Sequence, residues 1–162
     1  MGGSQSADVS TSAAGAPPVL SETMIRNLIT NWYRGTNDHV PVEELERMLA
    51  DDVTMKYPNS EDAFTGIPAF RDWYTGVLGK YFDETHVVEK WDISIDGDRA
   101  EVGVVVRWEC RSWQVGQALS TYAAYLSRQR FRIERSPEDG RVMIREKLAE
   151  TFEPTAAVYG PC

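Results

Sequence analysis

Histidine and cysteine are scarce in this 162-residue chain, with two of each. Cys110 lies in a strand-like run and Cys162 ends the chain. Neither stands at metal-ligand spacing from another Cys or His, so no zinc pattern arises and a reduced, cytoplasmic protein is the simple reading. Positive charge is also in deficit. A formal net charge of −8 and a pI near 4.8 argue against general nucleic-acid binding, which needs a basic face. They equally disfavour adhesion to anionic membranes. No apolar run approaches the ~20 residues of a spanning helix. The opening MGGSQSADVSTSAAGAPPVL lacks the basic and apolar regions of a secretory leader. There is no Gly-rich phosphate loop, nucleophile elbow or internal repeat. Neither a metal nor an organic cofactor is expected.

What is present is a core. Apolar residues make up 42% of the chain and five are tryptophan, which suits one globular domain of this length. Residues 1–20, rich in Gly, Ser, Ala and Pro, cannot repay the entropy of ordering and read as a disordered tail. The domain proper spans 21–155, and 156–162 form a second tail. Ser21 caps a helix whose Ile25, Leu28, Ile29, Trp32 and Tyr33 form one stripe, ended by Gly35-Thr36-Asn37-Asp38. Pro41 opens a second helix with Val42, Leu45, Met48 and Leu49 facing inward. Asp51-Asp52 breaks to a short strand, Val53 to Tyr57, stopped by Pro58-Asn59. Gly66-Ile67-Pro68 starts a third helix through Tyr81, with Phe70, Trp73, Tyr74, Val77 and Leu78 at helical spacing.

Strands fill most of what remains. Asp96-Gly97-Asp98 between two alternating β-branched runs is a strong hairpin signal. In the second run Val104, Val106, Trp108 and Cys110 alternate with Arg107, Glu109 and Arg111, so one face is dry and the other wet. Leu119 to Arg135 and Arg141 to Phe152 follow, separated by a Pro137-Glu138-Asp139-Gly140 turn, and Glu153-Pro154 closes the last strand. Helices first and an antiparallel meander afterwards define an α+β domain with helices on one face of a curved sheet.

The local phrases resemble the SnoaL-like branch of the nuclear transport factor 2-like superfamily. They are Leu49-Ala50-Asp51-Asp52-Val53-Thr54, Phe64-Thr65-Gly66-Ile67-Pro68, Thr85-His86, Ile95-Asp96-Gly97-Asp98-Arg99-Ala100 and Phe152-Glu153-Pro154. Together they cover roughly residues 22 to 154. The resemblance implies a cone-shaped, curved antiparallel or mixed sheet, with three N-terminal helices enclosing a pocket. It also implies a homodimer formed through the outer sheet face. The family holds ketosteroid isomerase, polyketide cyclases, scytalone dehydratase and limonene epoxide hydrolase beside non-catalytic members, so fold alone does not decide function.

By that resemblance His86 matches a catalytic histidine of scytalone dehydratase, and histidine is suited to exchange a proton near neutral pH. Tyr57 matches a tyrosine that holds a water on the substrate carbonyl, and Asp38 is the acid nearest the dehydratase's helix-end partner. The dehydratase's second histidine has no counterpart near Glu109 or Cys110. A ketosteroid-isomerase mechanism is not expected, because Tyr57 replaces the carboxylate base and Gln129 replaces the oxyanion-hole acid. Arg107-Trp108-Glu109 with Glu150 looks like a Glu-substituted epoxide-hydrolase set. Strand alternation turns Glu109 outward, toward Arg128 or Arg130, unless a bulge intervenes. Arg128, Arg130 and Arg132 read as a charged outer face, and Cys110 as a small buried hydrophobe. Trp32, Tyr33, Trp108, Tyr125, Gln129 and Phe152 are the candidate pocket lining; most of the aromatics suit a plain core equally.

Two classes of function stay open. One is a cofactor-independent acid–base enzyme that cyclises, dehydrates or isomerises a hydrophobic polyketide- or terpenoid-like small molecule through His86 and Tyr57, or opens an epoxide through Glu109 and Glu150. The other is a non-catalytic binding or assembly module. The register of the strand carrying Trp108 and Glu109 separates an apolar pocket from a carboxylate-driven one.

Overall fold

The computed structural model describes residues 19–58 and 60–155. Most of the expected N-terminal tail, the 156–162 tail with Cys162, and Asn59 at the expected strand stop lie outside the described residues. Leu20 is a correction to the expected tail. It is 3% exposed and packs in the core, so order begins before the Ser21 cap.

Helix α1 (Glu22–Asn37) starts where the Ser21 hydroxyl accepts the Met24 N–H at 3.2 Å. Its expected stripe is buried. Helix α2 (Val42–Glu46) is shorter than its apolar spacing suggests, and Leu49 already belongs to strand β1 (Leu49–Lys56). The reason lies in the carbonyls that a longer helix would use. Met48 O accepts Ile144 N–H at 2.7 Å, while the Arg141 guanidinium takes the carbonyls of Arg47, Glu46 and Leu49.

β1 also runs straight through Asp51-Asp52, expected as a break. Both aspartates are exposed at a register irregularity between Leu49 and Thr54, and Asp52 forms a fork with Arg145 at 2.9 and 3.2 Å. A bulge lets a strand carry two consecutive outward charges. A two-residue strand, β2 (Phe64–Thr65), pairs with β1 and has no signal in the sequence pattern. Helix α3 (Ile67–Lys80) follows it.

The remaining strands are β3 (Tyr81–Asp96), β4 (Arg99–Ser112), β5 (Thr121–Arg135), β6 (Val142–Ala149) and β7 (Glu153–Pro154). The sheet order is β2-β1-β6-β5-β4-β3, with β7 added to β5. All pairs are antiparallel except β1 with β6, so the sheet is mixed. Glu153-Pro154 therefore does not simply close the last strand; it turns back onto β5 opposite Tyr125 and Leu126. The β3–β4 turn places Gly97 at φ 61°, the left-handed region that glycine enters without steric cost.

The sheet curves round a core to which α1 and α3 contribute through Ile25, Ile29, Trp32 and Phe70. The Trp32 and Phe70 rings, 5.7 Å apart, join the two helices. This is the open cone expected from the family phrases. Among the described residues no helix is long and apolar enough to cross a membrane.

Candidate functional site

Strand β4 keeps continuous register with β5 from Arg99 to Ser112. Unbroken alternation sends Ala100, Val102, Val104, Val106 and Cys110 to the buried face, with Trp108 on the same side. The one-residue question is thereby answered: Trp108 lines the cavity and Glu109 does not. Strand β3 behaves differently. Its register with β4 shifts between Phe82 and Thr85, where Asp83 takes φ 48°. Tyr81 and Glu84 have opposite parity in a regular strand, yet this bulge brings both to the cavity together with His86.

The cavity has a volume of about 300 Å³, at the small end of the ~300–1,000 Å³ typical of ligand pockets. Helix α1 contributes Trp32, Tyr33 and Thr36, and α3 contributes Trp73 and Val77. Tyr57 follows β1, Trp108 comes from β4, Tyr125 and Gln129 from β5, and Phe152 from the turn before β7. Trp108 packs at 5.4 Å against both Tyr125 and Phe152, so one wall is aromatic.

Three polar clusters interrupt that wall. In the first, His86 Nδ1 lies 2.6 Å from Asn37 Oδ1. A carbonyl oxygen only accepts, so Nδ1 carries the proton and Nε2 of the neutral ring keeps its lone pair. The ring is stacked between Tyr33 at 4.9 Å and Trp108 at 5.9 Å. Burial, reinforced by the Lys147 charge, pushes the imidazole pKa down to about 3. His86 is therefore neutral at physiological pH.

The second cluster is Lys147 with Tyr57. Lys147 projects from β6, is 5% exposed, and donates from Nζ to the Tyr57 hydroxyl at 3.1 Å. Desolvation lowers its pKa to about 7. The Tyr57 hydroxyl is held well above its ordinary pKa, first by burial and then by the Glu84 charge. Since its oxygen accepts from Lys147, its own O–H is free to donate to a molecule in the cavity. The third cluster is Glu84, whose carboxylate accepts Trp108 Nε1–H at 3.1 Å and meets His39 Nε2 at 2.7 Å. Beside these, the Tyr33 hydroxyl donates to Gln129 Oε1 at 2.6 Å, and Gln129 Nε2 donates to Ser127 Oγ at 3.0 Å.

The structure thus brings together His86, Tyr57, Trp32, Tyr33, Trp108, Tyr125, Gln129 and Phe152. It excludes three of the expected residues. Asp38 caps the C-terminus of α1 as an exposed residue, and its neighbour Asn37 holds the histidine instead. Glu109 accepts from the Tyr122 hydroxyl and from Thr85 Oγ1 at 3.4 Å on the outer side of β4, rather than pairing with Arg128 or Arg130. Glu150 is exposed, 3.7 Å from Arg130. The pair needed to open an epoxide therefore does not line the cavity, because β4 has no bulge to turn Glu109 inward.

Arg132 meets Glu101 and Glu146 at 3.8 and 3.7 Å, so this part of the arginine ladder is a charged outer face. Cys110 is buried, and burial pushes its thiol up to about 12. Lys147, Glu84, Asn37 and His39 were not among the expected site residues. Lys147 carried no parity signal: it is out of phase with buried Ile144, and a register shift in β6 between Ile144 and Glu146 turns it inward. Among the described residues no group of three or more His, Cys, Asp or Glu side chains is arranged to hold a metal ion.

A profile of the SnoaL-like domain matches residues 17–147. The chain belongs to the SnoaL-like family. No curated protein matches it by sequence. Among solved structures, this SnoaL-like chain is similar to a candidate scytalone dehydratase from Novosphingobium aromaticivorans. The two share 16% identity over 85% of this chain and 87% of that one, with a TM-score of 0.64. A type 2 hexachlorocyclohexane dehydrochlorinase is 17% identical over 85% and 90%, with a TM-score of 0.66. A ketosteroid isomerase-like protein from Erwinia carotovora atroseptica is 16% identical over 83% and 95%, with a TM-score of 0.65. At these identities the likeness establishes the shared fold.

Proposed function

We propose that this SnoaL-like domain is a cofactor-independent acid–base enzyme acting on a hydrophobic carbonyl compound of polyketide- or terpenoid-like character. The reaction class is enolisation followed by dehydration, isomerisation or cyclisation. The observation that carries this reading is the pairing, in one aromatic cavity, of a neutral His86, whose Nε2 meets no hydrogen-bond partner among the described residues, and a Tyr57 hydroxyl backed by Lys147. Dehydratase, dehydrochlorinase and isomerase-like proteins among the fold's relatives are consistent with it.

In this mechanism Tyr57 donates its proton as a hydrogen bond to the substrate carbonyl oxygen, and Lys147 stabilises the negative charge that develops there. Such a donor contributes on the order of 10²–10³ in rate. His86 Nε2 removes the adjacent C–H proton, a general-base contribution of about 10²–10⁴. Because burial makes the imidazolium strongly acidic, the proton is returned promptly, either to a departing hydroxyl or to another carbon. The apolar wall excludes water that would intercept the enolate.

A second reading, a binding module without turnover, draws on Asn37: an amide behind the histidine stabilises imidazolium less than a carboxylate does. One experiment separates the two. Aromatic and terpenoid ketones and β-hydroxyketones are incubated with the protein in D₂O, and deuterium incorporation and loss of water are followed by NMR. The enzyme reading expects turnover that falls at least a hundredfold in His86→Ala and tenfold or more in Tyr57→Phe. Unchanged rates in both variants, or no reaction across the panel with ligands still bound, refute it.

A further inference from the structure

The cavity holds one group that the acid–base reading uses only indirectly. Lys147 lies on β6 between Met55 of β1 and Phe131 of β5. Its ammonium group is set over aromatic rings, 4.7 Å from the centre of Tyr57, 5.9 Å from Phe131 and 6.0 Å from Tyr33. Among the described residues it joins no ion pair. The cavity carboxylate, Glu84, is occupied by His39 and Trp108 instead. A buried cation normally finds a carboxylate partner, since leaving it alone costs several kcal/mol. A lysine kept for structure alone would be better replaced by an apolar residue of the same length. A lysine deprived of an anion and opened to a cavity has the environment of an amine nucleophile.

We propose that Lys147 captures aldehydes or ketones covalently, as an imine formed inside the cavity. The step balances without a further reagent. The Nζ lone pair attacks the carbonyl carbon and the oxygen takes a proton from Tyr57. Nitrogen then loses a proton, which restores Tyr57. The carbinolamine hydroxyl then takes the Tyr57 proton and leaves as water while the nitrogen lone pair forms the C=N bond, which gives a protonated imine beside the Tyr57 oxyanion. The depressed basicity of Lys147, near neutrality through burial alone, leaves a large fraction as free amine at pH 7.

The inference rests on reading the cavity as a carbonyl site, and it relieves a tension within that reading. His86 is a weak base because of its burial and the nearby Lys147 charge. A protonated imine is a far stronger carbon acid than the parent ketone, so a weak base suffices to remove the neighbouring proton and leave an enamine.

The test uses 6-methoxy-2-naphthaldehyde with sodium cyanoborohydride at pH 7, read by intact mass and peptide mapping. The exposed lysines Lys56, Lys80 and Lys90 serve as internal references. Lys147 should be alkylated at least tenfold faster than any of them, with saturation as aldehyde is raised. Lys147→Met, verified as folded by circular dichroism, should keep only the slow surface labelling. A Lys147 left unlabelled, or labelled no faster than the exposed lysines, overturns the proposal. The two readings fail separately. Labelling at Lys147 without deuterium exchange on any ketone leaves the imine and removes the acid–base function. Exchange that depends on His86 without labelling does the reverse.

Discussion

Replacing Asn37 by aspartate is the most direct probe of how His86 is tuned. The amide oxygen lies 2.6 Å from Nδ1, so a carboxylate in the same rotamer places its charge ~4 Å from the centre of an imidazolium. At an effective dielectric of about 20 the attraction is ~4 kcal/mol, or roughly 3 pKa units. Desolvation of the new carboxylate takes back part of this, which leaves an expected rise of ~2 units from the present value of about 3. The chain has two histidines, so a ¹H–¹³C correlation spectrum at Cε1 resolves both, and His86→Ala identifies the signal. In the parent protein the His86 signal should stay in its neutral position from pH 9 to 5. In Asn37→Asp it should move within the lower part of that range. If proton abstraction by Nε2 limits turnover, two units of added basicity raise the rate about tenfold at a Brønsted slope of about one half. A parent His86 that titrates near 6.5, or a variant in which it does not shift upward, refutes the account of the site.

Lys147→Met should stabilise the fold at pH 7 by roughly 3–5 kcal/mol, because the buried amine's pKa of about 7 lies well below the ordinary lysine value. Between pH 7 and 10.5 the unfolded chain binds one more proton than the folded one, so the parent's stability rises with pH. The advantage of the variant in urea unfolding should therefore be full near and below pH 7 and shrink toward pH 10; a pH-independent difference contradicts this. Glu109→Gln and Glu150→Gln should each leave ketone exchange within twofold of the parent, since neither carboxylate lines the cavity; a loss above tenfold in either restores the carboxylate-driven alternative.

Much of this arrangement was legible because β4 is an inner strand. Both of its neighbours hold it, and it runs from Arg99 to Ser112 in unbroken register with β5. There the alternation of Val104, Val106, Trp108 and Cys110 against charged residues translates directly into inside and outside. The same logic on β5 places Tyr125, Gln129 and Phe131 inward and the arginines outward. Helix α1 was equally readable, because its stripe and its Ser21 cap are local features. Local pattern fails where a backbone group finds its partner far along the chain. The carbonyls that end α2 are met by Ile144 and Arg141, and His86 is held by Asn37, 49 residues away.

The remaining misses share a cause in the edge strand and in burial of charge. β3 lies at the end of the sheet, where one side has no ladder to enforce register and a bulge is tolerated at Asp83. That bulge reverses parity between Tyr81 and Glu84, so a regular alternation through Tyr81–His86 assigns one of them to the wrong face. Lys147 runs against the expectation that lysine is almost never buried without a partner. Parity counted from buried Ile144 assigns it to the outer face of β6, and the register shift between Ile144 and Glu146 turns it inward beside Ala149. Both departures fall within the cavity wall. A lysine held without an anion and an edge strand bent out of register are each unfavourable for folding by themselves. Their convergence on one 300 Å³ cavity favours the proposed ligand site over a cavity that only completes the core.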